Sequence, residues 1–300
     1  MSATLTTPST STTHPPVRPK ARRRGRLRHG ERPNWLGALI AFLWLAVVLV
    51  PIYWIVITSL KSQSNYFATN PLLPSPESDF EQYRFVAQSD FPRYFLNSAV
   101  VAIGTVVPTI LLAFMAAYAI VRGNGRFLRV ANVIFLSGLA IPLQAVVIPV
   151  YLIIIRLHLY DTLLAIILPS IAFAIPLSVL VLANFIRDVP KELFESMSMD
   201  GASEWATMWR LAFPLARPAL VTVAVYNGLT VWNGFLLPLI LTQSPDQRTL
   251  PLALWTFQGQ YSVNVPAVMA SVVLSTLPVI VLYAFGRRQL VSGLTAGFSK

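Results

Sequence analysis

The chain is 300 residues long, 55% hydrophobic and only 12% charged, with a mean hydropathy of +0.62. A soluble domain carries about 25% charged residues, so the composition excludes a soluble globular fold and points to an integral membrane protein. A formal net charge of +11 would suit nucleic acid, but it clusters beside the first apolar segment and no nucleic-acid partner is expected; the lack of cysteine excludes disulfides, thiolate metal sites and a cysteine nucleophile.

Residues 1–17 (MSATLTTPSTSTTHPPV) are rich in Ser, Thr and Pro and read as disordered. Arg18, Lys20, Arg22, Arg23, Arg24, Arg26, Arg28 and Arg32 follow, a basic cluster of the kind that sets topology and touches anionic membrane lipid. The apolar stretch from Trp35 to Leu60 is too long for a signal-peptide core of about 7–15 residues, so it reads as an uncleaved span. Six segments reach the roughly 20 apolar residues that cross about 30 Å of hydrocarbon. They are Leu36–Leu60, Phe95–Val121, Val130–Ile155, Leu163–Ile186, Ala219–Leu241 and Val265–Phe285. Their lengths are helical, and backbone groups in lipid must pair internally, so the fold class is all-α with six transmembrane helices. Pro108, Pro142, Pro149, Pro169, Pro176, Pro238 and Pro278 lie within or near the ends of these spans, where kinks serve either a pathway or packing. The expected division is a disordered basic tail over 1–33, a six-helix transmembrane domain over 34–286 and a C-terminal tail over 287–300.

Lys and Arg counts orient the spans. With the N-terminus inside, the cytoplasmic side takes the N-terminal eight, then Arg122, Arg126 and Arg129, then Arg187, Lys191, Arg210 and Arg217, then Arg287, Arg288 and Lys300. Lys61, Arg84, Arg93, Arg156 and Arg248 fall outside. The positive-inside rule therefore places both termini and the long polar loop between spans four and five, about 187–217, in the cytoplasm.

That loop is the most structured of the connections. Its stretch from Glu192 to Pro218 holds Glu192, Glu195, Asp200 and Glu204, with Asp188 just upstream of that stretch. Asp188 can cap a short helix whose first turn holds Pro190, with Leu193, Phe194 and Met197 on one side and Glu192, Glu195 and Ser196 more exposed. Gly201 breaks that helix, since glycine accepts positive φ or a close approach. Asp200 or Ser203 can cap a second helix carrying Trp205, Met208 and Trp209 and ending near Pro214. An amphipathic pair lying on the membrane would favour Lys and Arg on its polar face. This one is acid-rich, which favours a protein partner.

The loop resembles the "EAA" pattern of ATP-binding cassette importer membrane subunits: E-A-A, three residues, G, nine residues, I-x-L-P. Glu195, Gly201, Leu211 and Pro214 match it, and Pro190, Glu192, Leu193, Asp200, Ala202, Ser203, Leu215 and Pro218 fit its carbohydrate branch. Further matches run almost the whole length. They include Pro51 with Ser59-Leu60-Lys61, Asn97-Ser98, Ala117-Tyr118-Ala119 with Arg122, Ile141-Pro142-Leu143, Trp232-Asn233 with Phe235 and Pro238, and Gly293 to Gly297. Two departures stand out: Ser196-Met197 replaces Ala-Ala, and the tail ends as Phe298-Ser299-Lys300.

The resemblance implies the permease subunit of a maltose-type, binding-protein-dependent sugar importer in the bacterial inner membrane. It implies coupling to two cytoplasmic ATPase subunits through Glu192, Glu195, Met197, Asp200, Gly201, Trp205 and Pro214. It also implies a second related permease and an extracytoplasmic sugar-binding protein, which segments Ser62–Arg93 and Thr242–Asn264 could receive, the latter offering Trp255, Phe257 and Tyr261. ATP and magnesium would sit on the partner subunits, leaving this chain no cofactor, metal or catalytic site of its own.

The residues themselves agree. No ionisable Asp, Glu, Lys, Arg or His falls inside the six spans, against an ion-coupled transporter, whose relays need such groups. No G-x-x-x-x-G-K phosphate loop occurs either, so energy must come from another subunit. His14, His29 and His158 form no metal or catalytic set, and Asp161 near His158 reads as a solvated pair. Gln144, Asn184, Tyr226, Asn227, Trp232 and Asn233 are the candidate pathway residues, because amides and aromatic faces suit a neutral sugar. The same amides also pair helices with one another, and Trp favours interfaces. Another solute carried by the same machinery, or a non-transporting membrane scaffold, are the competing readings.

Overall fold

The computed structural model describes residues 35–75, 79–254 and 263–296, with side chains described as far as residue 284. The chain divides into two units, Met1–Val48 and Leu49–Lys300. The described part of the first is the opening of helix α1 (Trp35–Ser59), whose large apolar side chains from Trp35 to Val48 are all exposed. A helix apolar on every side and uncovered belongs in lipid.

The second unit holds the end of α1 and all the other described elements. These are α2 (Gln63–Ala68), α3 (Glu81–Gln88), α4 (Phe91–Arg122), α5 (Arg126–Gly138), α6 (Leu143–Arg156), α7 (Leu163–Arg187), α8 (Lys191–Met199) and α9 (Glu204–Thr207). A π turn (Met208–Ala212), α10 (Phe213–Leu215), α11 (Arg217–Trp232), α12 (Leu236–Leu241), a 3-10 turn (Pro245–Gln247), α13 (Leu250–Ala253) and α14 (Val265–Ala296) complete it. No strand occurs among the described residues.

Among the described residues, four helices are each long and apolar enough to cross a membrane: α1, α4, α7 and, within α14, Val265–Ala284. Two bent pairs bring the total to six if each counts as one span: α5 with α6, at 108°, and Glu204–Leu215 with α11, at 73°. The third segment, read from sequence as one helix over Val130–Ile155, is therefore two. Pro142, extended at ψ 133°, offers no N–H to continue α5 and biases the residue before it away from helix. The fifth segment, read as Ala219–Leu241, is also interrupted. Helix α11 stops at Trp232 and α12 resumes at Leu236, where Pro238 has no N–H for the carbonyl of Gly234.

Small residues set the main packing seam. Helix α4 lies along α7, and a Cβ on Gly104 would stand 2.9 Å from Ile167 Cδ1. Ala113 and Ala117 of α4 are buried in one cluster with Val179, Leu182 and Ala183 of α7. Backbones approach this closely in membranes only where side chains are small. The start of α7 is fixed by Thr162, whose hydroxyl accepts from Ala165 N.

The ends opposite the 187–217 loop are tied by polar contacts. Asn97 Nδ2 on α4 donates to the carbonyls of Asp246 and Arg248 at 2.8 and 2.9 Å, and Ser98 Oγ accepts from Leu250 N at 2.8 Å. Arg93 forms a salt bridge with Asp246. Asp161, the expected partner of His158, accepts instead from the backbone N–H groups of Gln243 and Ser244 at 2.8 and 2.9 Å, and from the Ser244 hydroxyl. The Ser244 hydroxyl above all, with both backbone donors, holds the Asp161 carboxyl below its usual range against the opposing effect of burial. Lys61 is 1% exposed, its ammonium donating to Asn70 O at 2.7 Å and Thr69 Oγ1 at 3.3 Å. It pins the turn after α1 through a backbone carbonyl and a hydroxyl.

Candidate functional site

The loop over 187–217 is two short helices joined by a tight turn. Asp188 does not cap the first of them; it closes α7, its N–H donating to Asn184 O, and Pro190 stands at the head of α8 without a side-chain cap. Only two residues separate Asp188 from α8, too few to leave both the end of α7 and the head of α8 to it. Gly201 has φ +75°. Its N–H donates to Ser198 O at 3.1 Å and Ala202 N–H to Met197 O at 3.0 Å, the paired bonds of a left-handed helix stop. Ser203 then caps α9, accepting from Ala206 N.

One side of this loop is buried in the bundle. Phe194, Met208, Ala212 and Ala216 share a core cluster with Phe114 and Tyr118 of α4, Ile186 of α7 and Leu220 of α11. The other side is open. Glu192, Glu195 and Asp200 are exposed, as is Gly201, and among the described residues none of the three acids has a salt-bridge partner. Trp205 is 60% exposed, standing edge-on to Trp209 at 5.7 Å, while Met197 and Pro214 are half-buried. Met199 is 89% exposed, an apolar side chain with no cover in this chain.

Three residues join this site that the sequence did not assign to it. Tyr118 Oη donates to Glu204 Oε2 at 2.6 Å, and the Arg122 guanidinium lies 4.5 Å from the centre of the Phe194 ring. They line a cavity of about 530 Å³ with Met115, Leu128, Trp205 and Met208. The available signal was the four-residue spacing of Tyr118 and Arg122, which puts both on one face of a helix.

A second cavity, of about 390 Å³, opens among α4, α7, α11 and the breaks at Leu139–Ile141 and Gly234–Phe235. Of the six pathway candidates it takes in Tyr226, half-exposed, and Asn227, buried with its Nδ2 donating to Ser178 Oγ at 2.9 Å. The other four lie outside its lining. Gln144 is exposed on α6, and Asn184 accepts from Arg187 at the end of α7. Trp232 is buried, donating to Ser275 O with Phe95 edge-on at 5.4 Å, and Asn233 turns back to Leu229 O. The lining adds the hydroxyls of Ser98, Ser170 and Thr230 and the rings of Phe173 and Phe235, with no charged residue among the described ones. Trp255, Phe257 and Tyr261 lie outside the described residues. Among those described, no three His, Cys, Asp or Glu residues gather as a metal site.

Long apolar helices, with two bent pairs beside them, around a largely apolar cavity that carries a few hydroxyls and one amide are those of a multi-pass membrane protein. Residues 109–295 match the family described as binding-protein-dependent transport system inner membrane component. The chain is 33% identical over 276 residues to the trehalose transport system permease protein SugB of Mycobacterium tuberculosis (strain CDC 1551 / Oshkosh), covering 90% of this chain and 99% of that one. It is 29% identical over 266 residues to the diacetylchitobiose uptake system permease protein NgcG of Streptomyces coelicolor, covering 86% of each. Its fold matches a chain of a bacterial ABC transporter involved in the import of the acidic polysaccharide alginate, with a TM-score of 0.76 at 22% identity over 85% of this chain and 95% of that one. The chain belongs to the family of inner membrane components of binding-protein-dependent transport systems.

Proposed function

We propose that this permease carries a sugar or oligosaccharide inward across the bacterial inner membrane, driven by two ATPase subunits that grip the 187–217 loop. The observation that carries this reading is the two-sided loop. Its inner face is core, so it cannot move independently of the bundle, while Glu192, Glu195, Asp200, Gly201 and Trp205 stand free for a partner. Six spans with both termini cytoplasmic put that face on the ATP side. The division into a tail over 1–33, a transmembrane domain over 34–286 and a tail over 287–300 follows from the same topology.

In this mechanism the chain pairs with a second related permease, and ATP-driven closure of the ATPase subunits tilts the spans to alternate access. ATP and magnesium belong to those subunits, and catalysis is theirs. An extracytoplasmic binding protein delivers the solute. The hydroxyl- and ring-lined cavity at Tyr226 and Asn227, free of charged side chains among the described residues, suits a neutral carbohydrate. The relatives named for trehalose and diacetylchitobiose support the same class.

The test is affinity purification of the chain from its native membrane in mild detergent. The expected companions are an ATPase with a phosphate loop, a second permease and a binding protein whose ligand names the substrate. A chain that comes out alone, even after crosslinking through Glu192–Trp209, overturns the reading.

A further inference from the structure

The 187–217 loop sits in sequence between α7 and α11, so connectivity alone would have it drive those two helices. Among the described residues, Arg187 bonds back to Asn184 within α7, while the side-chain hydrogen bond from the loop's own helices goes to α4 instead. Tyr118, 6% exposed, donates to Glu204 on α9, and Arg122 lies over the Phe194 ring on α8. The two side chains stand one helical turn apart on α4 and hold the two loop helices on either side of Gly201. One turn further along, Phe114 packs tilted against Trp209 at 5.9 Å and edge-on to Phe213 at 5.3 Å.

The far end of α4 is held as well. Asn97 and Ser98 fix the backbone of residues 246–250 through three hydrogen bonds of 2.8 to 2.9 Å. The helix that joins these ends, Phe91–Arg122, runs 32 residues unbroken despite Pro108, a rod of about 48 Å over its whole length at the usual helical rise. Apolar contacts let a loop slide; a charge-assisted hydrogen bond and a cation over a ring fix direction.

We propose that Tyr118 and Arg122 are positioning residues that clasp the ATPase-facing loop to α4, making α4 the rod that carries loop movement to the 246–250 segment on the extracytoplasmic side. This rests on the coupling reading above. It assigns work to a helix that the loop does not join covalently. It also predicts that movement of the 246–250 segment is felt at the loop.

The chain has no cysteine, so in a complex whose partners carry no reactive cysteine, spin labels at Leu96→Cys on α4 and Leu277→Cys on α14, both exposed, report the separation of α4 from α14. In the complex purified with this chain and placed in lipid nanodiscs, the label separation is read without nucleotide and with ATP plus vanadate. Trapping is expected to populate a second separation when the clasp is intact. Loss of one charge-assisted hydrogen bond should lower that population about tenfold in Tyr118→Phe and Glu204→Ala. Glu204→Gln, which keeps an acceptor, should restore most of it, and Arg122→Gln should act like Tyr118→Phe. The amount of ATPase copurifying should be unchanged in Tyr118→Phe and Arg122→Gln, which lie on α4 outside the gripped loop. A full-size shift in Tyr118→Phe and Glu204→Ala overturns the proposal, as does no shift with the clasp intact. A loss of shift in step with lost ATPase also overturns it, since that marks a merely structural role. If no ATPase copurifies with the unaltered chain, the coupling reading falls first and this one with it.

Discussion

Gly201 offers the sharpest separation of folding from docking. Its φ of +75° lies in the left-handed region, yet a Cβ built there meets nothing within 4 Å. The cost of any side chain is therefore conformational, about 1–2 kcal/mol, and aspartate is among the residues that visit this region most readily. Against a total stability of about 5–15 kcal/mol, Gly201→Asp should fold and reach the membrane in near-normal amount. Docking is another matter. A carboxylate added beside Asp200 at a face a partner approaches closely is desolvated without a counter-charge, which costs several kcal/mol. Copurifying ATPase should then fall by more than about thirtyfold while chain in the membrane falls by less than about twofold. Gly201→Asn keeps the shape without the charge and should retain more of the ATPase than Gly201→Asp. The assay is quantitative blotting of membranes and of the affinity-purified complex. Wild-type ATPase recovery with Gly201→Asp refutes the docking argument. Equal losses of chain and of ATPase refute the claim that the loop tolerates a side chain at this position.

Phe194 is 2% exposed and sits under Arg122, so Phe194→Ala should cost about 3–5 kcal/mol and free the loop from the core; limited proteolysis between 187 and 217 should accelerate, and unchanged cleavage would contradict the packing. Asn227→Ala removes the bond to Ser178, whose hydroxyl keeps Ala174 O, and should lower stability by about 0.6–1.7 kcal/mol, read as a small fall in thermal midpoint in detergent. The Asp161 carboxyl is held below its usual range, chiefly by the Ser244 hydroxyl. A depressed folded value means its contribution is complete above the ordinary carboxylate range of about 3.9 and is lost only as pH falls through the lower folded value. Hydrogen exchange at the Gln243 and Ser244 amides should therefore stay protected down to that range and open in Asp161→Ala, which removes the acceptor, at every pH. Arg93→Ala removes an exposed ion pair, 53% and 60% exposed on its two sides, and should change stability by less than about 1 kcal/mol; a larger fall would mean that the 246–250 segment depends on it.

Local chemistry was legible where one stretch of chain decides the outcome. The helical stop at Gly201 could be read, and the cap of α9 narrowed to Asp200 or Ser203, of which Ser203 caps it, because each follows from a few adjacent residues; α1, α4, α7 and the start of α14 could be read from unbroken apolar length. The breaks at Pro142 and Pro238 had their signal in plain view, but hydropathy averages over a proline and sees one span. Asp188 shows the reverse error: an acid before Pro190 suggests a cap, yet the end of α7 takes it first. The pathway residues were chosen for their amides, whereas Asn184 and Asn233 satisfy theirs within their own helices and the cavity turns on hydroxyls beside helix breaks. Tyr118 and Glu204 lie 86 residues apart, and no periodicity within either segment announces the other. What brings them together is the small-residue seam of α4 and α7, since the loop leaves α7 directly and α4 is the helix that packs most extensively against α7. A bulkier residue at Ala113 or Ala117 would therefore be felt at the loop as a lost Tyr118–Glu204 contact before it was felt as a lost fold.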